Sequence, residues 1–326
     1  MRVFALNGTG ELGATVAAKL GRTLDPHEER EFEEGEHKAR PLVSVRGRDV
    51  FVLHSLAGSG AGTVNDRLCR LLFFLACCRD NGAARVTAVV PYLAYSRKDR
   101  QTKPRDPVTT RYVAQLLEAM GSDRILTLDV HNLAAFQNSF RCQTVHLTAR
   151  HLFVAEMERL AGRESVVVLS PDGGGVKRAQ LLKESYESRT GRQAGFGFME
   201  KRRSSGKVTG DLFAGEVDGK AVFIVDDMIG SGGTMLRAAR SCRERSAIAV
   251  HAMATHGLFG KGAEKLFGAE EIDRIIVTDS VCSAVAASSD FPSSRLKLVS
   301  VAPLMAEAIR RLHEGEAISD LTGIED

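Results

Sequence analysis

Six cysteines, Cys69, Cys77, Cys78, Cys142, Cys242 and Cys282, are spread over 326 residues without a single C-x-x-C spacing, and all lie in apolar surroundings. Neither a zinc site nor a disulfide framework fits that pattern, and reduced, buried thiols in a cytosolic protein are expected. Long apolar runs are lacking as well: the longest, "RLLFFLACC", is far too short to cross a bilayer. Charge of one sign is scarce in the balance. A net charge of +3 gives no general affinity for nucleic acid, so any basic cluster has to be judged locally. Met1 leads straight into the strand-like "RVFAL", and no secretory leader is expected. With 44% hydrophobic and 26% charged residues, the composition is that of a globular protein of about two domains, each able to bury its own core.

What is present is an alternation. Strand patterns recur at 2–6, 49–55, 85–92, 124–131, 165–172, 220–227, 247–256 and 274–280. Helical patterns fall between them at 11–20, 64–80, 108–120, 149–161, 175–187 and 234–244. Strands alternating with helices imply βαβ units and parallel sheets, an α/β protein. One barrel or two smaller sheets would accommodate them. Two sheets are preferred, because polar strand ends form two sets: "YSRKDR" and "DVHN" in the first half, "SPDGGG" and "DDMIGSGGT" in the second. The division is expected near 140–150, although no Pro- or Gly-rich linker marks it. A last helix over 303–315, with Leu304, Ala308, Ile309 and Leu312 on one side, is expected to pack back on a domain.

The stretch "VFIVDDMIGSGGTML" carries the clearest chemistry. Val222 to Val225 read as a buried strand, which places Asp226 and Asp227 at its end. Gly230, Ser231, Gly232, Gly233 and Thr234 can then wrap backbone N–H groups around an anion, and the helix that follows adds its positive N-terminus. A tight turn capped by Asp227 is the plainer alternative. The two adjacent carboxylates favour a hydroxyl or cation site beside a phosphate site.

Other strand ends add to this. Arg97, Lys98, Arg100, Lys103 and Arg105 crowd one short run with Asp99, Asp106 and two prolines, a composition expected to form a mobile loop able to close on a polyphosphate. A solvated charge run is the alternative. A nucleic-acid contact is disfavoured, because no stacking aromatics interleave the cations. His131 and Asp172 each follow a strand. A strand-end His is ordinarily structural, but one His and one Asp are enough to steer Mg2+, which takes its other ligands from phosphates and water. Gly173, Gly174 and Gly175 offer a second backbone cradle, suited to a pyrophosphate. Lys201, Arg202 and Arg203 are either a surface basic cluster or a means of stabilising a transferred phosphoryl group. Gly8, Gly10 and Gly13 have the dinucleotide-binding spacing, but residues 25–36 read as an acidic loop where a second strand should lead to the acidic partner. Nicotinamide binding is therefore set aside.

Together these segments resemble the ribose-phosphate pyrophosphokinase (PRPP synthetase) family, nearly end to end, from "FALNGTGELG" to "VAPLMAEAIRRLHEG". The specific marks, in order, are "YSRKDR" with "PRDPVT", "LDVH", "SPDGGG", "EKRR" and "VDDMIGSGGT". The resemblance implies two phosphoribosyltransferase-like α/β domains, at 1–145 and 146–302, with 303–326 as the closing helix. It also implies ATP at their junction, assembly into dimers and hexamers, a cytoplasmic location, and no membrane or nucleic-acid partner. The implied reaction moves the β,γ-diphosphoryl group of ATP to the C1 hydroxyl of ribose 5-phosphate, with Mg2+. By motif, Asp226 and Asp227 would hold ribose hydroxyls and Gly230 to Thr234 the 5-phosphate. Asp172 to Gly175 would form the pyrophosphate loop, and His131 and Asp172 would serve Mg2+. Phe32, Glu34, Glu36, Arg97, Lys98 and Asp99 would meet ATP, with Phe32 near adenine; Lys201 and Arg203 would stabilise the transferring group.

The pattern departs from the family's common form at Lys98 (Gln there), Gly173 (His), Gly230 (Asp) and Glu34 (Asp or Asn). Residues 188–219 also match it poorly. A non-catalytic regulatory relative and a PRPP-consuming phosphoribosyltransferase stay as alternatives. The retained Asp226, Asp227, His131, Lys201 and Arg203 count against the first, and the basic loop with a doubled α/β domain against the second.

Overall fold

In the computed structural model, residues 1–58, 62–204, 207–281 and 294–323 are described, with side chains described everywhere in these ranges except at 201–211. The chain forms two units. One comprises Met1–Thr148, Ser280–Ala284 and Ser300–Asp326; the other comprises Ala149–Asp279 and Val285–Val299.

The first unit runs β1 (Arg2–Ala5), α1 (Gly10–Lys19), a hairpin of β2 (His27–Glu31) and β3 (His37–Pro41), then β4 (Asp49–Leu53), α2 (Val64–Asp80), β5 (Arg85–Val90), α3 (Thr109–Ala119), β6 (Arg124–Leu128), α4 (Leu133–Ser139) and β7 (Gln143–Leu147). Its sheet has the order β1-β4-β5-β6-β7, with every neighbouring pair parallel. Strands covered on both faces must be apolar throughout, and Val50 to Leu53 and Ala88 to Val90 are fully buried accordingly. At the start of α2, Thr63 and Asp66 cap reciprocally: the Asp66 N–H donates to Thr63 Oγ1 at 3.2 Å, and the Thr63 N–H donates to Asp66 Oδ2 at 2.7 Å.

The second unit runs α5 (Arg150–Ala161), β8 (Val166–Ser170), a 3-10 turn (Gly173–Gly175), α6 (Val176–Thr190), β9 (Ala194–Ser204), β10 (Lys207–Ala214), β11 (Ala221–Ile229), α7 (Gly233–Arg243), β12 (Ala249–Gly257), α8 (Glu264–Phe267), β13 (Arg274–Thr278) and β14 (Leu296–Val299). The sheet order is β10-β9-β8-β11-β12-β13-β14. All neighbours are parallel except β10, which pairs antiparallel with β9. The chain enters at β8, builds outward to one side, then returns to β11 and builds to the other. The order thus reverses between β8 and β11, the place where open α/β sheets bind ligands at their carboxyl ends.

Two helices then return to the first unit, α9 (Ala302–Glu314) and α10 (Ser319–Thr322). Helix α9 packs against α1 and buries Met305, Ala308, Ile309 and Leu312. The Arg124 guanidinium closes its end by donating to the Leu312 carbonyl at 3.5 Å.

Several expectations need correction. Residues 27–31 are a strand and not part of an acidic loop. "HEERE" has no apolar period, and the hairpin is held instead by cross-strand pairs such as Arg40 Nε to Glu28 Oε2 at 2.6 Å. Strands β3, β7, β9, β10 and β14 were not foreseen: β7, β10 and β14 lie at sheet edges, β3 is polar, and Gly195 and Gly197 interrupt the pattern of β9. Strand β6 stops at Leu128, short of His131, because Asp129 turns into the left-handed region with φ 36°. The thiols are not all buried: Cys69 is exposed on α2, and Cys77 and Cys142 are half-buried. Cys282 lies outside the described residues. Two of the three glycines of "NGTGELG" prove to be packing residues, whereas a Cβ on Gly10 would meet nothing within 4 Å. A Cβ on Gly8, at φ +84°, would lie 2.5 Å from the Arg67 guanidinium, and one on Gly13 would lie 2.2 Å from Ala5 Cβ. Among the described residues, no helix is long and apolar enough to cross a membrane.

Candidate active site

Where the second sheet reverses order, β11 continues beyond its neighbour. Pairing with β8 ends at Ile224–Leu169, whereas pairing with β12 persists to Ile229–Gly257. Asp226 and Asp227 therefore sit in the later part of β11, where it is paired on the β12 side only, which corrects their expected place at a strand end. Asp227 is buried, and its side chain is only 3% exposed, against 20% for Asp226. Its own N–H donates to Asp226 Oδ1 at 2.8 Å. Across the crevice, Arg178 Nη1 donates to the same Oδ1 at 2.9 Å, while Nη2 lies 3.6 Å from Asp227 Oδ1. Burial pushes the Asp226 carboxyl up to about 8; hydrogen bonding and repulsion from Asp227 add to this, and Arg178 opposes it. Two adjacent acids share one guanidinium, so one of them holds a proton near neutrality until a ligand or cation displaces it.

The glycine loop after β11 is built to leave N–H groups available. Gly232 adopts φ +75°, and a Cβ there would lie 2.8 Å from Leu266 Cβ. Helix α7 starts directly after it with no side chain capping its N-terminus. The first N–H groups of a helix have no intrahelical partner, so this end presents donors and positive potential to an anion. The Gly260 N–H donates to the Gly230 carbonyl at 3.1 Å and pins the loop's entry. Gly230 itself has no positive φ, and a Cβ there would meet nothing within 4 Å.

The turn after β8 is the second cradle. Asp172 Oδ1 accepts from the Gly174 and Gly175 N–H groups at 2.9 and 3.2 Å, and Ser170 Oγ donates to the Asp172 carbonyl at 2.6 Å. Gly175 is crowded: a Cβ would lie 2.7 Å from Ser170 Oγ and 3.5 Å from Arg178 Nη1. Gly173 is exposed, with open space about it.

In the first unit, the basic run after β5 is organised around Asp106. Its Oδ2 accepts from the Thr102 N–H at 3.1 Å, the Lys103 N–H at 2.9 Å and Thr102 Oγ1 at 2.8 Å, and it pairs with the Lys98 ammonium. These donors hold the Asp106 carboxyl well below the usual carboxylate range, with Lys98 the main cause. Arg97 points to solvent, whereas Asp99 Oδ2 accepts from Asn132 Nδ2 at 2.5 Å. That bond joins the basic loop to the loop after β6, which carries exposed His131. Left-handed Tyr95 (φ 63°) and Asp129 (φ 36°) stand at the entries of these two loops, a concentration of backbone strain typical of ligand sites. At the tip of the β2–β3 hairpin, Phe32 is 39% exposed beneath the Arg30 guanidinium, 5.1 Å from the ring centroid. Glu34 and Glu36 are exposed beside it.

Lys201 and Arg203 fall on β9, in register with Asp211 and Val208 of β10; their side chains lie outside the described set. Sequence reasoning missed Arg178, Asp106 and Asn132. Arg178 had a legible signal: a cation in the first turn of a helix opposes the macrodipole and calls for an anionic partner. Asp106 and Asn132 had none, since their partners are set by loop geometry.

Two α/β units with mainly parallel sheets, one of them bearing paired acids and an uncapped glycine loop at its switch point, define a two-domain α/β class of protein with an anion-binding helix end beside paired acids. The comparisons are narrower. Residues 1–121 match the N-terminal domain of ribose phosphate pyrophosphokinase, and residues 202–322 match the phosphoribosyl synthetase-associated domain. Ribose-phosphate pyrophosphokinase of Caldanaerobacter subterraneus subsp. tengcongensis is 34% identical over 323 residues, covering 98% of this chain and 97% of the relative. Ribose-phosphate pyrophosphokinase 1 of Streptococcus pyogenes is 35% identical over 330 residues, covering 98% and 97%. The crystal structure of phosphoribosylpyrophosphate synthetase from Mycobacterium smegmatis superposes with TM-score 0.86 at 32% identity, covering 96% of this chain and 99% of that one. This chain belongs to the ribose-phosphate pyrophosphokinase family.

Proposed function

We propose that the chain transfers the β,γ-diphosphoryl group of ATP to the C1 hydroxyl of ribose 5-phosphate, giving PRPP and AMP. The observation that carries this reading is the Asp226–Asp227 pair at the switch point, set directly before an uncapped, glycine-led helix N-terminus. Carboxylates suit ribose hydroxyls and the loop N–H groups suit a 5-phosphate, so both ends of ribose 5-phosphate have partners on one continuous segment.

In the proposed reaction, Asp226 and Asp227 orient the ribose hydroxyls, while Gly230, Ser231, Gly232, Gly233 and Thr234 hold the 5-phosphate. Phe32, Glu34, Glu36, Arg97, Lys98 and Asp99 serve the nucleotide, Lys98 through the loop shape it sets with Asp106. The C1 oxygen attacks the β-phosphorus, its proton is released, and the bond from that phosphorus to the α,β-bridging oxygen breaks with AMP leaving. Asp172, Gly173, Gly174 and Gly175 cradle the diphosphoryl group, and Lys201 and Arg203 stabilise its developing charge. Such transfer needs alignment and charge neutralisation more than covalent chemistry, so no nucleophilic side chain is required.

Among the described residues, no three His, Cys, Asp or Glu side chains gather to hold a metal by themselves. That suits Mg2+, which is held by few protein ligands and otherwise by phosphate and water oxygens. His131 in the first unit and Asp172 in the second are the residues that would serve the Mg2+ sites, and bound Mg2+ would supply charge neutralisation of the phosphates. We further read the protein as cytoplasmic and homo-oligomeric, built from dimers and extending to hexamers.

The test is the purified chain with ATP, Mg2+ and ribose 5-phosphate: AMP should form only when all three are present. Lys201→Ala should then lower kcat by about a hundredfold or more with an unchanged melting temperature, since its charge acts mainly in the transition state. Near-normal turnover in that variant would refute its role. Absence of AMP from the wild type would leave a regulatory relative.

A further inference from the structure

Arg178 belongs to none of the motifs that mark the family resemblance, yet its guanidinium contacts both members of the acid pair. Three observations meet on it. It occupies the first turn of α6, a position that favours anions, so helix formation alone does not explain a guanidinium there. It reaches both acids across the order reversal, from the β8 side to β11, with 2.9 Å to Asp226 Oδ1 and 3.6 Å to Asp227 Oδ1. Its Nη1 also lies 3.5 Å from where a Gly175 Cβ would stand, so the pyrophosphate-loop turn and the guanidinium are packed together. The side chain is only 27% exposed, which keeps the pairing largely out of water and gives it directional force.

We propose that Arg178 is a positioning residue that fixes the Asp226 and Asp227 carboxylates in the orientation that receives the ribose hydroxyls, and ties that orientation to the Gly173–Gly175 turn. This rests on the acceptor-site reading above. A bridging guanidinium spans two carboxylates with a planar fork, which an ammonium cannot reproduce. Arg178→Lys should therefore keep the charge and lose part of the alignment, whereas Arg178→Ala should lose both.

The experiment is calorimetric titration of the full chain with ribose 5-phosphate, beside steady-state kinetics for each substrate and a thermal melt. Wild-type binding of ribose 5-phosphate tests the acceptor reading itself; no binding there would overturn that reading and this inference with it. Given wild-type binding, Arg178→Ala should weaken ribose 5-phosphate about tenfold or more and Arg178→Lys by a smaller factor, while the KM for ATP stays within about twofold. Should Arg178→Ala fail to fold, the Arg178→Lys result decides alone. Adding Arg178→Ala to Asp226→Asn should cost clearly less than Arg178→Ala costs in the wild type, because the two act through one contact. Unchanged ribose 5-phosphate affinity in a folded Arg178→Ala variant with only a lowered melting temperature would overturn the inference, as would an equal rise in both KM values or additive losses in the double variant.

Discussion

Replacing Gly232 by alanine should both destabilise the second unit and weaken its phosphate site. The backbone there has φ +75°, which costs an L-residue about 1 kcal/mol or somewhat more. The added Cβ would stand 2.8 Å from Leu266 Cβ, 3.1 Å from its Cδ2 and 3.2 Å from its Cγ. Leu266 is 1% exposed and wedged among buried neighbours including Phe267 and Met235, so it has little room to retreat. Overpacking of that kind costs about 1–3 kcal/mol, for a total of roughly 2–4 kcal/mol. The comparison is Gly230→Ala, two residues earlier, where φ is not positive and a Cβ meets nothing within 4 Å. That change should stay within about 0.5 kcal/mol. Urea unfolding of both variants measures the difference, and titration with ribose 5-phosphate measures the displaced N–H groups. Equal stability and equal affinity for Gly232→Ala and Gly230→Ala would refute the reasoning.

Further expectations follow from the same geometry. Gly230→Asp and Gly173→His, which restore the residues common in the family, should leave the melting temperature unchanged because both sites are open, and a marked drop in melting temperature would contradict this. Asp106→Asn should raise the KM for ATP with little effect on that for ribose 5-phosphate, since Asp106 shapes only the loop of the first unit; equal changes in both would speak against it. Burial raises the Asp226 carboxyl, so the Asp226–Asp227 pair keeps in the folded state a proton that the unfolded chain releases near the ordinary carboxylate value, and this contribution to stability falls as pH rises from the carboxylate range toward about 8. Asp226→Asn should flatten that slope in urea midpoints taken across the range. His54 has the opposite sign: burial depresses it to about 3, so stability is lost as pH falls from about 6.5 toward 3, and acid unfolding should be shifted in His54→Gln.

How much of this was legible beforehand depended on whether a signal was local. The buried strands β4, β5, β8 and β11 carry short, mainly apolar runs rich in Val, and such runs announce themselves. Strand β2, "HEERE", is held by its hairpin partner β3 and by Glu29, which accepts from the Asn7 N–H at 2.6 Å, while its own residues carry no strand period. Strand ends were misjudged where a single residue switched conformation, as Asp129 does after β6. The glycine loop after β11 was legible because small residues stand together in sequence, whereas Arg178 signalled only that it needs an anionic partner; which one, Asp226 at 48 positions' distance, became visible when the sheet brought β8 beside β11. Lys98 illustrates the reverse: a cation assigned to the nucleotide from its motif is engaged by Asp106 within its own loop.

The most direct test follows phosphorus itself. A 31P NMR time course of the wild-type chain with ATP, Mg2+ and ribose 5-phosphate should show ATP loss matched by AMP and by a diphosphate attached to ribose C1, in equal amounts and only when ribose 5-phosphate is present. Formation of ADP in place of AMP, or ATP loss independent of ribose 5-phosphate, would contradict diphosphoryl transfer by this site.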